Sequence, residues 1–315
     1  MQNMLGERIY SIPELAADRN IMLYIHKSLW NMFGYIGFEG FQLEQMVGIT
    51  FAAFRQDTLK SNSRQRGAET EYDLPADLLD YYDVMGFREK RRKRIWGRAK
   101  AMIDLITPHL AEGESVLDVG TGNCSIALGL HNLEYRTHAM DITDNRSTVA
   151  KEKEAEGLEF ALHSAGEPLR YPDRSYDAVL AIATLHHCDD PMGLLNELLR
   201  VSRRKLIIYE STFGVSKEGI ADDVMAANPA LYGDYLALSR EQQKMYGIFL
   251  DWFLNKVEFK NDAHVPCNFT SPDRWEGIFR QKGLAVRERR VLGFDNPGIS
   301  EFHIFYALEK QKGRI

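Results

Sequence analysis

Residues 116–124, Val-Leu-Asp-Val-Gly-Thr-Gly-Asn-Cys, constrain this chain more than any other stretch. A short apolar run ends in an acid and meets a glycine-rich turn. Glycine lets the backbone reverse sharply and lets a ligand come close to the main chain. Ser125-Ile-Ala-Leu-Gly-Leu130 then reads as the start of a helix. A strand, a glycine turn and a helix N-terminus together form a cradle with backbone N–H groups facing inward. Glycine turns join strands to helices in many folds, so this one gains its weight from the order of the segments downstream.

About 20 residues further on, Arg136-Thr-His-Ala-Met-Asp-Ile142 reads as a second strand with Asp141 near its end. A carboxylate so placed can accept both hydroxyls of a ribose. Leu158–Ser164 reads as a third strand, followed by Ala165-Gly-Glu-Pro-Leu-Arg-Tyr-Pro-Asp-Arg-Ser-Tyr-Asp177. Ala178-Val-Leu-Ala-Ile-Ala183 is an unbroken apolar run, as in a strand covered on both faces. It ends at Thr184-Leu-His-His-Cys-Asp-Asp-Pro191. Strand and helix signals alternate across 111–210, which predicts a parallel sheet wrapped by helices. Leu284–Leu292 and Glu301–Leu308 read as two more strands around the short turn Asp295-Asn-Pro-Gly298, and so as an antiparallel hairpin.

This order resembles the class I S-adenosylmethionine-dependent methyltransferases. It is most similar to their small-molecule branch, which includes the ubiquinone-biosynthesis-type enzymes. The residues that carry the likeness are VLDVGTGNCS, the Asp141 strand, EPLRYPDRSYDAVLAIATLHHCDDP, and the helix Leu194–Val201 before Lys205-Leu-Ile-Ile-Tyr-Glu210. The likeness is good over 96–210 and moderate over 269–310, where Ser271-Pro-Asp-Arg-Trp-Glu and the closing strand match. Residues 1–95 and 212–268 are not covered.

The resemblance implies a Rossmann-like α/β sheet of seven strands in the order 3-2-1-4-5-7-6, the last antiparallel. It implies S-adenosylmethionine as cofactor and S-adenosylhomocysteine as product. The ligand is then expected above the carboxyl ends of the first and fourth strands, where the strand order reverses. The implied cofactor-binding residues are Asp118, Gly120, Thr121, Gly122, Asn123, Asp141, Ile142, Gly166, Glu167 and Ala183. Asp118 is expected to hold the glycine turn and meet the cofactor's amino-acid end, or simply to satisfy turn amides as a cap. Asp141 is expected on the ribose, or as a cap of the following helix. The sequence departs from the family's pattern at three places. Cys124 stands where a third glycine is usual, Ala165 where an acid often meets the adenine, and Ser202-Arg-Arg-Lys205 where a proline-glycine-glycine turn is usual.

Composition sets wide limits. The 315 residues suffice for one large α/β domain with additions. A formal net charge of −6 gives no reason to expect nucleic acid as partner. The three cysteines, Cys124, Cys188 and Cys267, are far apart, so neither a disulfide framework nor a metal site is expected, and a cytoplasmic setting fits. The first 20 residues carry Glu7, Arg8, Glu14, Asp18 and Arg19 and no long apolar core, so no secretory leader is expected. No run of about 20 apolar residues exists to span a membrane.

Two domains are expected. Residues 1–95 form a helical region acting as a lid, a substrate wall or a dimer interface, which leaves a homodimer open. Residues 96–315 form the methyltransferase domain, with a helical insertion at 212–268 broken near Asn228-Pro229. Helical spacing is present over Ile21–Phe33 and Leu43–Leu59, Lys60–Pro75 reads as a linker, and Asp77–Leu110 as one long or broken helix. Six of the seven residues in Arg88–Arg94 are basic, but apolar residues continue beyond at helical spacing, which favours the solvated face of a helix.

Methyl transfer from a sulfonium needs alignment and exclusion of water more than a fixed catalytic set. Where the acceptor is a hydroxyl or an acidic carbon, a base helps. His186 and His187 follow the fourth strand and are the candidate bases, the alternative being packing under the loop. Asp189-Asp190 before Pro191 reads as a helix start. Glu210, Tyr246 and Trp252 are candidate substrate contacts for a small, partly apolar acceptor, methylated at oxygen or carbon. Three alternatives stay open. One is the same cofactor used for cyclisation or elimination, another is a non-catalytic scaffold, and the third is a nucleic-acid enzyme, which rests on the basic run alone.

Overall fold

The computed structural model describes residues 12–64, 82–87, 89–90, 98–258, 268–294 and 301–311. Three helices come first: α1 (Ile12–Ala17), α2 (Arg19–Tyr35) and α3 (Gly40–Arg64). Then α4 (Arg98–Ile106) leads into β1 (Ser115–Val119), α5 (Ser125–Asn132), β2 (Arg136–Asp141), α6 (Thr148–Glu152), β3 (Glu159–Leu162) and β4 (Tyr176–Ile182). After α7 (Pro191–Val201) and β5 (Ser202–Ser211) come α8 (Asp222–Ala227), α9 (Pro229–Leu236) and α10 (Arg240–Trp252). The chain closes with α11 (Pro272–Gln281), β6 (Leu284–Phe294) and β7 (Phe302–Lys310).

The sheet has seven strands in the order β3-β2-β1-β4-β5-β7-β6, the order that the family resemblance implies. β1 to β5 pair in parallel, and β7 runs antiparallel to both β5 and β6. Side chains alternate across it with the period of two that a strand imposes. Leu117, Val119, Val179, Ala181, Leu206 and Ile208 join one apolar core, and Val116, Ala178, Leu180, Ile207 and Tyr209 join another beneath α4 and α5. Burial on both faces explains why β4 reads as a continuous apolar run.

The N-terminal helices and α10 share one aromatic core. Phe54 packs edge-on against Phe249 and Trp252, at centroid separations of 5.0 Å for both. Tyr24 meets Tyr246 at 4.8 Å, and Phe33 lies 6.2 Å from Phe253. The helix starts are also tied. Asp18 caps α2 through the amides of Asn20 and Ile21, and accepts Gln242 Nε2 at 3.1 Å. Gln242 in turn completes the capping box of α10 with Ser239.

Some boundaries differ from expectation. α3 continues to Arg64 where a linker was expected from Lys60, because Lys-Ser-Asn-Ser-Arg contains neither Gly nor Pro to stop it. β6 and β7 are each two residues longer at the C-terminal end, because the pairs Phe294↔Phe302 and Leu284↔Lys310 close both ends of their ladder. Asn228 caps α9 at the expected break in the insertion. The rest of the linker, the turn at 295–298 and all of the basic run except Glu89 and Lys90 lie outside the described residues. No described helix is long and apolar enough to cross a membrane.

Candidate functional site

The turn after β1 alternates between left- and right-handed backbone. Gly120, Gly122 and Cys124 have φ of +73°, +56° and +65°. The turn's amides are largely engaged within the protein: Gly120 and Thr121 donate to the Met140 carbonyl at 2.9 and 3.1 Å, Gly122 to Asp141 Oδ2 at 2.7 Å and Cys124 to the Thr121 carbonyl at 2.9 Å. The two glycines are required for different reasons. A Cβ on Gly120 would stand 2.4 Å from Thr184 Cγ2, so this position is emptied by the protein's own close approach between the ends of β1 and β4. A Cβ on Gly122 would meet nothing within 4 Å, so here the backbone faces open space. Cys124 holds a conformation that L-residues adopt at a cost of about 1–2 kcal/mol, and its side chain packs fully buried among Ala127, Ala139, Ala150 and Leu158.

The two acids divide the work. Asp118 is 2% exposed and stands behind the turn. Its Oδ2 accepts Thr121 Oγ1 at 2.7 Å, and the Ala127 backbone also hydrogen-bonds to it. Asp118 therefore satisfies the start of α5, for which Cys124 supplies no side-chain cap. Burial, with the charge of Asp141 added, raises its pKa to about 6 against the hydrogen bonds from Thr121 and Ala127. Asp141 stands in front. Its Oδ2 accepts the Gly122 amide at 2.7 Å and its Oδ1 the Thr143 amide at 3.2 Å. Oδ1 also accepts Thr143 Oγ1 at 3.5 Å, while Oδ2 keeps a further lone pair. Beside it Ile142 is 60% exposed, an apolar plate at the rim.

Asn123 Oδ1 accepts the Ser125 amide at 3.1 Å. Gly166 (φ +79°) likewise faces open space, and Glu167 is exposed, its amide turned back to the Ser164 carbonyl at 3.2 Å. Ala183 is left-handed, with φ +53°, and its amide donates to the Tyr209 carbonyl at 2.7 Å. Two strained non-glycine residues, Cys124 and Ala183, thus stand at the carboxyl ends of β1 and β4, where strain tends to accompany function. The open backbone at Gly122, the outward Asp141 carboxylate and the apolar plate of Ile142 fit a nucleoside bearing an amino-acid tail.

Beyond β4 the chain forms a buried ionic cluster. Glu210 is 1% exposed and fully engaged. Its Oε1 accepts the amides of Thr184 and Leu185 at 2.9 and 2.7 Å, and its Oε2 lies 2.6 Å from His186 Nδ1. Glu210 therefore points back into the protein rather than into the mouth. His186 Nε2 is 4.0 Å from Glu301 Oε2, and its ring stacks on Phe269 at 5.4 Å. Burial opposes charge on His186, but Glu210, then Glu301 and Asp251, outweigh it and raise its pKa to about 10. His187 is part exposed, with Nδ1 3.9 Å from Asp251 Oδ1. Burial, reinforced by Glu301, pushes the Asp251 carboxyl well above the usual carboxylate range.

Tyr246 and Trp252 do not share one surface. Tyr246 lines a small cavity with Ser211, Lys244, Phe269, Glu301 and Phe302, and its hydroxyl pairs with Ser28. Trp252 is not among the residues that line it and is buried against Phe54 and Phe249. Reading the sequence missed Asp251, Glu301 and Lys244. Asp251 and Glu301 carried a signal, an ionisable residue inside or opening an apolar run, in Phe249-Leu-Asp-Trp-Phe253 and Glu301-Phe-His-Ile-Phe305; Lys244, in Arg240-Glu-Gln-Gln-Lys-Met245, carried none. Among the described residues one group has metal-ligating spacing: His186, His187 and Asp251.

Residues 117–208 match the family model of a methyltransferase domain. A demethylmenaquinone methyltransferase of Bacillus mycoides (strain KBAB4) is 29% identical over 159 residues, 47% of this chain. That match spans 65% of the relative, so the chain covers less than two thirds of its length. A demethylmenaquinone methyltransferase of Geobacillus stearothermophilus is 23% identical over 252 residues, 77% of this chain and 99% of the relative. Among solved structures, the Burkholderia thailandensis 1,6-didemethyltoxoflavin-N1-methyltransferase aligns over 78% of this chain and 94% of its own, at 14% identity and a TM-score of 0.48. Residues 117–208, with the sheet order and the glycine turn around them, thus carry a methyltransferase domain of the class I, Rossmann-like fold.

Proposed function

We propose that this chain transfers a methyl group from S-adenosylmethionine to a small, partly apolar acceptor, at oxygen or carbon. The observation that carries the reading is Asp141, whose Oδ2 fixes the Gly122 amide at 2.7 Å and still presents an acceptor lone pair beside a backbone with open space at Gly122. In this reading the uncovered turn at Gly122 lies against the cofactor's amino-acid tail, Asp141 takes its ribose and Ile142 its adenine, while Asp118 and Glu210 position the loops. The names of the two curated relatives support a quinone-type acceptor.

S-adenosylmethionine supplies a methyl group on a positively charged sulfur, already activated for in-line displacement. The protein's task is then to align the acceptor and exclude water. The N-terminal helices and α10 do the excluding. The cavity that α9, α10 and the ends of β5 and β7 leave beside Glu301 is about 10 Å³, room for one water, so an acceptor enters only when the aromatic cap that includes α10 moves. We take 1–95 and the 212–268 insertion together as that cap. His186, held as a cation by Glu210, is poorly suited to remove the acceptor's proton. The polar groups next to it are His187 and Asp251.

Calorimetry with S-adenosylmethionine tests the cofactor reading. Asp141→Ala is expected to weaken binding by about 1–3 kcal/mol, the loss of charged hydrogen bonds. Wild-type affinity in that variant, or no binding by the wild type, removes the reading. Release of S-adenosylhomocysteine with a quinol or phenol panel tests the transfer itself and separates it from cyclisation or elimination.

A further inference from the structure

We propose that His186, His187 and Asp251 hold a divalent first-row transition-metal ion at the inner end of the acceptor site. A ring nitrogen from each histidine and a carboxylate oxygen of Asp251 lie within 4.8 Å of one another. Three independent observations bear on this.

The first is a carboxylate that is only half satisfied. Asp251 is 0% exposed, deep in α10. Its Oδ1 accepts Asn255 Nδ2 at 2.6 Å, while its Oδ2 is buried with no hydrogen-bond partner. Ionised, that oxygen needs a donor or a cation. Protonated, its O–H needs an acceptor. Neither is present, and a buried polar atom left so costs about 1–3 kcal/mol. A bound cation satisfies it directly.

The second is the way His186 is held. Glu210 takes Nδ1 at 2.6 Å, which leaves Nε2 as the ligating atom and turns it toward the cluster. A carboxylate behind a histidine is the support metal-bound imidazoles use, because it fixes the ring and raises its basicity. Glu210 is itself locked by two backbone amides, so the imidazole has one orientation.

The third is charge. Glu210, Glu301 and Asp251 bring three carboxyl groups into a region where all are at most 5% exposed. Glu301 Oε2 lies 4.0 Å from His186 Nε2 and 3.8 Å from His303 Nε2. A dication held between the two histidines and Asp251 offsets this charge directly. Two imidazoles and a carboxylate suit zinc, cobalt, iron or manganese rather than magnesium. Tetrahedral ligands with bonds of about 2.1 Å stand roughly 3.4 Å apart, so the donors draw in by about 1 Å on binding.

The site adjoins the cavity lined by Glu301 and Phe269, so a hydroxyl of the acceptor reaching the ion would lose its proton more easily. That consequence rests on the methyltransferase reading; the metal site does not. The test uses the full chain, stripped with chelator and titrated with Co²⁺. The expected result is one equivalent bound, a visible d–d band, and competition by Zn²⁺ but not by excess Mg²⁺. His187→Gln and Asp251→Asn, each near in size to the original, should each weaken Co²⁺ binding about tenfold or more. Circular dichroism establishes that each variant is folded, and the part-exposed His187 serves as the probe if Asp251→Asn is not. No saturable Co²⁺ binding by the wild type, or wild-type binding in the folded variants, overturns the site. S-adenosylmethionine calorimetry on the same stripped protein reports the cofactor reading separately, so the two can fail independently.

Discussion

Glu210 Oε2 lies 2.6 Å from His186 Nδ1, and the two residues are 1% and 2% exposed. The pair locks the loop after β4 to the end of β5, because the other Glu210 oxygen takes the amides of Thr184 and Leu185. Removing one partner of a buried ion pair leaves the other uncompensated, at about 3–5 kcal/mol. Glu210→Ala is therefore expected to lower unfolding stability by that amount in urea, and Glu210→Gln, which can still accept the amides, by less. A loss under 1 kcal/mol in the alanine variant would mean that the pair does not hold the loop.

The two turn glycines should separate stability from ligand binding. Gly120→Ala drives a methyl to 2.4 Å from Thr184 Cγ2 at φ +73°, so overpacking and strain add to about 2–5 kcal/mol. Gly122→Ala has no neighbour within 4 Å and pays only the left-handed penalty, about 1–2 kcal/mol. Thermal melts should rank them in that order. Calorimetry should show S-adenosylmethionine affinity lost in folded Gly122→Ala, whose methyl fills the space the ligand needs. Equal melting temperatures, or intact binding in Gly122→Ala, would contradict the assignment.

The sheet was legible because its residues obey two simple periods. β4 shows as an apolar run and β1, β2 and β5 as short runs ending in or near acids, so the strands were legible, while their order in the sheet came from the family resemblance. Which way an acid at a strand end points cannot be read from its position. Asp118 and Glu210 both end strands, and both turn inward to cap amides, while Asp141 alone of the three faces the opening. Tertiary partners decide this: Thr121 and Ala127 for Asp118, and His186 for Glu210. Asp251 was hidden for a related reason. One carboxyl among Phe249, Leu250, Trp252 and Phe253 looks like a break in an apolar face until β7 brings Glu301 toward the same cluster.

Asp118 gives a pH-dependent signature. Its folded pKa, about 6, lies above the ordinary carboxylate value, so the folded state holds the proton more tightly than the unfolded chain. The stability it contributes is complete below the unfolded pKa of about 4 and is lost as pH rises through about 6. Two units correspond to on the order of 3 kcal/mol. Asp118→Asn, which still accepts from Thr121 but does not titrate, should gain on the wild type by up to that amount between pH 4 and pH 7. Urea midpoints for both proteins across that range measure it. A stability difference that does not change with pH would place the Asp118 titration elsewhere.

Of the ties between the N-terminal helices and the insertion, the one between α2 and α10 through Ser28 and Tyr246 can be released by removing a single oxygen. Tyr246 on α10 and Ser28 on α2 pair through their hydroxyls, and both residues are at most 3% exposed. The Tyr246 ring also lines the cavity. Tyr246→Phe keeps the ring, its packing against Tyr24 and the cavity wall, but leaves Ser28 Oγ buried without its partner. The expected loss is about 1–2 kcal/mol. If opening of the helices limits access to the acceptor, amide exchange should quicken in α2 and α10 and not in β1 to β5, where the cofactor loops stand. S-adenosylmethionine affinity should remain that of the wild type, and the change should appear in the acceptor's KM or kcat. Faster exchange throughout the sheet would show that the hydroxyl pair supports the whole fold, and unchanged exchange in α2 would show that it does not hold the cap.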